Sequence, residues 1–418
     1  MALCAAGASG SALAAPAASS PADPIAAIAD GKPILEVRGR YEDVDQANLA
    51  NSAQAFTVRT RLGWETASWQ GFKALVEMEN VFHLDDGHFN VAVPGGASLN
   101  GRTQYPIIND PQVTELNRAQ LTWTASPHFS VTAGRQRILI DDQRFVGNVG
   151  WRQDEQTFDA ARADVKYGVF QATYAYVFHV NRIFGESLDW RSDSHLLNLS
   201  LSPDPRLQVE GFVYALDFGN ASASSTLTRG LRLSGKAPAG PLKFSYDATW
   251  ARQGAYGNNP ASFGLDYWQA SATATWKRIT VRGDYEQLDG DGTRGFITPL
   301  ATTHGFQGWA DAFAAVSGNK TGVDGIKDFN VSLAIRPNLK LPFLPNPEFL
   351  VRRYDFWAER TGAKLAGEWD AQVQSALTPK LTAALKYAAF TRRSAVPLGT
   401  TIAPPSRTKV WLSLEFKL

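Results

Sequence analysis

The strongest constraint on this chain is a two-residue alternation of apolar and polar side chains that recurs along most of its length. Near the N-terminal end, Phe56, Val58 and Leu62 fall on one face of a predicted strand, and Arg59 and Arg61 fall on the other. The C-terminal end of the chain alternates in the same way. This period is typical of strands in a sheet whose two faces meet chemically different surroundings.

The alternation predicts an all-β fold, a transmembrane antiparallel up-and-down β-barrel of about 18 strands with short periplasmic turns and long extracellular loops. Most predicted segments have the length that a tilted strand needs to cross a bilayer. Charged residues keep to one parity, as expected if that face lines a wet lumen. The predicted long connections are 83–114, 139–156, 180–193, 253–264, 289–324 and 391–405. We therefore expect the chain to lie in the lipid of the cell outer membrane.

A soluble β-sandwich or propeller also alternates, so periodicity alone does not say which face points outward. Two further observations favour the barrel: the sequence shows no propeller-length repeat, and aromatic residues cluster at predicted strand ends, where interfacial girdles lie. These aromatics are Trp64, Trp123, Tyr167, Trp250, Trp268, Trp276 and Tyr387.

The first thirty residues differ in composition from the rest. Residues 1–30 are rich in Ala, Ser and Pro and are interpreted as a signal peptide or leader that is incomplete at its start, with a cleavage motif at 12–14. Cys4, the single cysteine, follows Leu3, which argues against lipid attachment. Residues 31–418 are predicted to form one barrel domain. The net charge of +1 gives no sign of a nucleic-acid partner.

The sequence offers no convincing catalytic or metal site. Its six histidines lack metal-ligand spacing, and no nucleophile-elbow motif is present. The acidic pairs at 141–142 and 154–155 could act as glycosidase carboxylates, but solvated loop charge is the commoner explanation. We therefore expect no enzyme activity, no cofactor and no bound metal.

Several stretches resemble the alginate-export family of outer-membrane porins. The two longest are DQRFVGNVGWRQDEQTFD at 142–159 and TPLATTHGFQGWAD at 298–311. Shorter ones lie at 39–42, 114–119, 134–138, 354–356 and 368–370. The resemblance implies a monomeric 18-stranded barrel that passes an anionic polyuronate by passive diffusion, since planar Arg groups bind carboxylates with two hydrogen bonds.

Eleven arginines are the candidates for this path. They are Arg38, Arg40, Arg59, Arg61, Arg118, Arg135, Arg137, Arg144, Arg152, Arg162 and Arg282. Those at 135, 137, 144 and 152 could line a constriction or an inward-folded loop. Arg135 and Arg137 share the parity of apolar residues, so either Gly134 forms a bulge or both lie above the membrane.

Acidic residues are predicted on the same lumenal face. They are Glu36, Glu77, Glu79, Asp164, Asp284, Glu286, Glu368 and Asp370. These acids could simply pair with bases on neighbouring strands. A porin for small solutes and nutrients with a mixed-charge lumen is therefore the alternative hypothesis, and a plugged barrel with an adhesive or enzymatic role is a third.

Overall fold

The structure is a computed structural model that describes residues 21–85, 87–92, 97–313, 322–393 and 403–418. Cys4 and the predicted cleavage motif lie outside these residues. The strands of the N-terminal half are β1 (Lys32–Gln46), β2 (Ala53–Glu65), β3 (Phe72–His83), β4 (Val113–Ser126), β5 (Phe129–Gln136), β6 (Thr157–Tyr167), β7 (Phe170–Asn181), β8 (Trp190–Asp204) and β9 (Leu207–Leu216). Those of the C-terminal half are β10 (Thr226–Ala239), β11 (Leu242–Ala255), β12 (Gly264–Trp276), β13 (Ile279–Leu288), β14 (Ile326–Ile335), β15 (Lys340–Leu341), β16 (Leu344–Pro345), β17 (Glu348–Trp357), β18 (Lys364–Thr378), β19 (Leu381–Arg392) and β20 (Arg407–Lys417).

Helical structure in the described residues is short. It comprises α1 (Pro24–Ala29) and the single 3₁₀ turns Glu186–Leu188, Ser222–Ser224 and Thr303–Gly305. Asp23 caps α1 by accepting a hydrogen bond from the Ala26 backbone N–H. The helix lies within the predicted leader and contacts the barrel through the Trp64 Nε1–H, which donates to the Ile28 carbonyl at 2.9 Å. None of the described helices has both the length and the apolar character required to span a bilayer.

The described residues form one 18-stranded sheet that closes on itself. Each barrel strand pairs antiparallel with its neighbour along the chain, and β1 also pairs with β20 in a register that places Arg40 opposite Ser413. Closure gives every barrel strand two partners, so no edge is left with unpaired backbone groups. The predicted fold class and strand number are confirmed. The hairpin of β15 and β16 lies outside this sheet and was not predicted.

The connections alternate in length around the barrel. One rim carries tight turns such as 127–128, 168–169 and 240–241, and the opposite rim carries the long connections 84–112, 137–156 and 289–325. Both ends of the sheet lie at the tight-turn rim, which is the periplasmic rim in barrels of this kind. The connection 336–347 is an exception, because it is long and lies at the periplasmic rim.

The outer surface is apolar and carries the expected aromatic residues. Leu62 is 62% exposed, Leu412 is 53% exposed and Trp268 is 49% exposed, although all three are large apolar side chains. A surface of this kind is stable only against lipid, and the barrel therefore fits the outer membrane. The predicted outward face is confirmed.

The interior differs from the polar lumen that the sequence predicts. Its extracellular half holds a hydrophobic core in which Phe212, Tyr214, Tyr267 and Phe356 point inward from the wall and are almost fully buried. The periplasmic half keeps the predicted polar side chains, such as the pair Arg282 and Asp284. The cause is that long loops fold into the upper half of the barrel and bury these side chains of the wall.

The side chains of Arg135 and Arg137 point in different directions at the end of β5. Arg135 keeps the parity of Phe129 and pairs with Asp159 at 2.8 Å, near the extracellular end of its strand. Arg137 lies just beyond β5 and turns inward to Glu155 and Glu77. Gly134 has a φ of 109° and lies where a Cβ would meet the Ala119 carbonyl oxygen at 2.2 Å. Only glycine tolerates that backbone conformation and that approach.

Replacing Ala272 with Arg tests which face meets lipid. Ala272 is exposed on the outer face of β12, halfway between Trp268 and Trp276. An arginine there is expected to lower the free energy of unfolding by about 2–4 kcal/mol, because a cation at the bilayer midplane loses its water. Urea unfolding from lipid vesicles measures this. Gln269→Arg, on the lumenal face of the same strand, is the control; equal destabilisation by both variants would contradict the assignment.

Candidate functional site

The connection between β5 and β6, residues 137–156, folds into the barrel and is called the first inner loop. Arg38 of β1 holds it from the wall: its Nε donates to Gln153 Oε1 at 2.8 Å, and its Nη1 donates to the Gly150 carbonyl at 3.1 Å. Its Nη2 donates to the carbonyl of Arg152. One guanidinium therefore fixes three points of the loop, two of them on the backbone.

A network of charges fixes the C-terminal end of the first inner loop. Glu155 accepts hydrogen bonds from Arg137 Nε at 2.6 Å and Asn117 Nδ2 at 2.7 Å, and it pairs with Arg61 at 3.2 Å. Burial alone would raise the pKa of Glu155, but Arg61 and Arg137 outweigh it and lower the pKa to about 2. Glu155 therefore stays ionised at physiological pH.

The neighbouring carboxyl group behaves in the opposite way. Asp154 is fully buried, and burial together with the charges of Glu115 and Glu79 raises its pKa well above the ordinary value. A protonated Asp154 beside an ionised Glu155 relieves repulsion among the acids of this wall. The network thus holds the loop without accumulating negative charge.

A second segment, residues 289–313, also enters the barrel and is called the second inner loop. The backbone N–H of Ala310 donates to Glu368 Oε1 at 2.8 Å. Gly308 has a φ of 84°, and a Cβ there would lie 2.4 Å from Glu368 Oε2, so the loop reaches the wall through a glycine. Gln307 donates to Glu286, which also accepts from Arg144 of the first inner loop.

The two inner loops contact each other directly. The Gly147 N–H donates to the Leu300 carbonyl at 2.8 Å, and the Thr302 N–H donates to the Gln143 carbonyl at 3.0 Å. Thr302 Oγ1 accepts from the Val149 N–H at 3.0 Å. Because both loops are bound to the wall and to each other, they form one connected insert in the upper lumen.

An aromatic cage of Trp151, His304, Trp309 and Trp411 surrounds Lys386 and joins this insert to β19 and β20. His304 stacks on Trp151 with ring centroids 4.0 Å apart and 1° between the planes. Lys386 lies 3.7 Å from the centre of the Trp151 ring and 3.8 Å from that of Trp309. Such cation–π contacts stabilise an ammonium group that has left water.

His304 is held neutral inside this cage. Its Nδ1 lies 3.0 Å from Asp311 Oδ2, and its Nε2 lies 2.9 Å from Lys386 Nζ. The Asp311 carboxylate accepts from the Nδ1–H, which leaves the Nε2 of the neutral ring to accept from Lys386. Burial and the charge of Lys386 lower the pKa of His304 well below its ordinary value, although Asp311 opposes them.

Beside the cage lies a cavity of about 120 Å³. Its wall comprises parts of both inner loops, of the connections between β3 and β4 and between β7 and β8, and of β20. The charged residues of the wall are Arg152, Arg182, Arg407, Lys409 and Asp311. Among the described residues that line it, cations therefore outnumber carboxylates by four to one.

Two of these cations are poorly neutralised. Arg182 is 6% exposed and stacks 3.9 Å above the Trp190 ring, and its Nε and Nη1 have no hydrogen-bond partner within the described residues. Burial lowers the pKa of Arg182 to about 10, and the charge of Asp189 only partly opposes this. The Nε of Arg407 is also buried without a partner among those residues. A buried N–H group without an acceptor carries an energetic cost, which a ligand that supplies an acceptor removes.

The eleven predicted arginines do not converge on one path. Arg152 lines the cavity, where it pairs with Glu42 at 3.2 Å and with Asp311 at 3.5 Å. Arg40 lies 4.2 Å from the Trp151 ring, and Arg144 pairs with Glu286. The remaining lumenal arginines pair with wall carboxylates: Arg59 with Glu36 and Glu415, Arg61 with Glu79, Arg118 with Glu77, Arg162 with Asp164, and Arg282 with Asp284.

Sequence reasoning missed three of the four cavity cations. Lys409 and Arg407 share the parity that the alternation of the last strand assigns to the lumenal face, but neither is among the predicted arginines. Arg182 lies one residue beyond the end of β7, in a predicted outer connection. The two-residue alternation of β20 could have identified Arg407 and Lys409 as lumenal. It could not have identified Arg182, which lies outside a strand.

No protein-family model matches the chain, and no curated protein matches it in sequence. Solved structures share its fold. OccAB2 of Acinetobacter baumannii is 15% identical with a TM-score of 0.71, over 94% of this chain and 99% of that chain. OpdK of Pseudomonas aeruginosa, crystallised with vanillate, is 13% identical with a TM-score of 0.70, over 94% and 99%.

OccK2 (OpdF) of Pseudomonas aeruginosa, in complex with glucuronate, is 11% identical with a TM-score of 0.66, over 94% of this chain and 99% of that chain. The matched proteins are outer-membrane porins. At these identities the similarity is one of fold: the chain has the 18-stranded architecture of an outer-membrane porin. The comparisons do not support the resemblance to the alginate-export family.

Replacing Glu155 with Gln tests how the first inner loop is held. The variant leaves Arg61 and Arg137 facing each other without their shared acceptor, which is expected to destabilise the docked loop by about 3–5 kcal/mol. Limited proteolysis should then cut within 137–156 at least tenfold faster, while heat-modifiable electrophoresis still shows a folded barrel. The control is Glu186→Gln, an exposed acid on a neighbouring loop. Equal cleavage of both variants would contradict this role of Glu155.

The neutral state of His304 predicts a pH effect. Above about pH 6.5 both a docked and a released loop hold a neutral histidine; below it the released loop takes up a proton more readily. Acidification therefore favours release of the second inner loop. In planar bilayers, current fluctuations are expected to be at least threefold more frequent at pH 5 than at pH 7.5.

His304→Gln should lose this pH dependence, and His195→Gln should keep it. His195 is the control because it lies on the outer face, where Tyr174 contacts it at 2.8 Å. If the wild-type channel fluctuates equally at both pH values, the docked loop does not depend on a neutral His304.

Proposed function

We propose that this protein is an outer-membrane channel through which small organic acids diffuse passively, and that the cavity beside the aromatic cage is its selective site. The observation that carries this proposal is the surplus of positive charge in the cavity wall, where Arg182 and Arg407 offer buried N–H groups that find no acceptor in the described part of the chain. A carboxylate supplies those acceptors. A neutral solute supplies weaker ones and leaves the charge uncompensated.

The remainder of the cavity wall suits the body of such an acid. Trp151, Phe184 and Ile183 also line it, and the Phe184 ring lies 4.9 Å from the Arg182 guanidinium. An aromatic ring or the apolar face of a sugar can pack against them while the carboxylate faces Arg182 and Arg407. Glucuronate and vanillate, present in the structures of OccK2 and OpdK, are small acids of this type.

Passage requires that binding be favourable enough for entry and weak enough for release. The cavity meets this requirement because Arg152 and Lys409 are partly neutralised by Glu42, at 3.2 and 3.4 Å. An acid leaving Arg182 and Arg407 meets the ion-paired arginines of the periplasmic half, which attract it only weakly. Since the chain contributes no energy source to this process, the concentration gradient sets the direction of transport.

Three other hypotheses account for the structure less well. An extended polyuronate would have to displace both inner loops, which are hydrogen-bonded to the wall. A porin without preference fits the paired charges of the lower lumen and is the second candidate. A plugged barrel with an adhesive or enzymatic role leaves the charge surplus unexplained. We further propose that one chain forms a complete pore and that residues 31–418 are a single domain behind the leader 1–30.

Liposome swelling with Arg182→Gln tests the proposed selectivity. Influx of glucuronate is expected to fall about fivefold, because a charge-assisted hydrogen bond is lost, while influx of glucose changes by less than twofold. Arg336→Gln is the matched control, since Arg336 pairs with Glu348 at the periplasmic rim. If Arg182→Gln slows both solutes equally, or neither, the cavity does not select acids.

A further inference from the structure

The outer face of the barrel carries a groove that the transport path does not use. It has a volume of about 400 Å³ and lies on strands β8 to β11. Its lining includes Leu199, Gly211, Leu231 and Trp250, together with Arg229 at its upper edge. Leu199, Gly211, Leu231 and Trp250 are cross-strand neighbours at one level of the sheet.

The groove exists because one side chain is missing from this level. Gly211 occupies the outward position between Leu199 and Leu231, and a Cβ there would meet only Leu231 Cδ2, at 3.6 Å. The same row continues on β12 as Trp268, opposite Trp250. These tryptophans belong to the aromatic girdle, so the groove lies where the acyl chains of the outer leaflet begin.

Positive charge lies directly above the groove. The next row toward the extracellular rim, about 7 Å higher along the strands, contains Arg229 beside Arg252. Arg252 is neutralised by Asp266 at 2.8 Å. Arg229 is exposed and forms no ion pair with any described residue, although it lies next to the lipid surface.

We infer that this groove is a binding site for a phosphorylated glycolipid of the outer leaflet, of the lipid A class. One acyl chain lies in the groove beside Gly211, and a phosphate of the headgroup lies on Arg229, with Arg252 next to it. Arginine suits a phosphate better than lysine does, because its planar group donates two parallel hydrogen bonds. A bare cation at the girdle is otherwise unfavourable, and a headgroup phosphate removes that cost.

Native mass spectrometry of the purified, folded protein tests this inference. The protein is mixed with diphosphoryl lipid A, with dephosphorylated lipid A, or with phosphatidylglycerol, and the bound lipid is counted. We expect one retained lipid A per barrel, with at least tenfold less retention of the other two lipids. Equal retention of the dephosphorylated form, or of phosphatidylglycerol, would overturn the inference, and so would displacement of lipid A by inorganic phosphate alone.

Two variants separate the two halves of the site. Arg229→Gln removes the phosphate contact, and Gly211→Leu fills the groove; each is expected to lower lipid A retention about tenfold. Arg206→Gln is the control, since Arg206 is exposed at the periplasmic rim. Unchanged retention in both test variants would overturn the site. Conductance should not change in any variant, so this result is independent of the proposed selectivity.

Discussion

The constraint on which the structure depends is that a backbone crossing lipid must satisfy its own hydrogen bonds. The sheet meets it by closing, with β1 bound to both β2 and β20. Closure determines which face each residue occupies, because a strand paired on both sides cannot shift by one residue without turning every side chain over. The lipid belt, the lumenal charges and the positions from which the inner loops can be held all follow from that register.

The second constraint is that the loops inside the barrel bring polar backbone and charge into a space with little water. The wall compensates for this with side chains placed opposite the loops. Arg38 meets carbonyl groups, Glu368 meets a backbone N–H, and Arg61 meets Glu155. Such buried ion pairs add little net stability, but losing one partner is costly. They therefore select one arrangement of the loops and exclude others.

The sequence predicts the barrel well because alternation is a local signal that each strand repeats. The sequence predicts the interior less well. The two-residue alternation distinguishes inward from outward side chains, but it does not tell whether an inward side chain faces water or a packed core. Phe212 and Tyr214 occupy inward positions, and only the folded loops above them explain why these positions are aromatic. The candidate site is predicted least well. Arg182, on the connection between β7 and β8, and Arg407, on the last strand, line the same cavity, and no local sequence pattern indicates that they do.

The way in which Arg38 contacts the first inner loop has an evolutionary consequence. Two of its three hydrogen bonds end on carbonyl groups, which every amino acid possesses. The side chains at positions 150 and 152 can therefore change without loss of these two hydrogen bonds, whereas the contacts of Glu155 depend on its carboxylate. Substitutions in the loop could therefore change which solutes pass while the barrel fold is retained. OccAB2 shows how far side chains can diverge within this fold, since 15% of positions are identical over 94% of this chain.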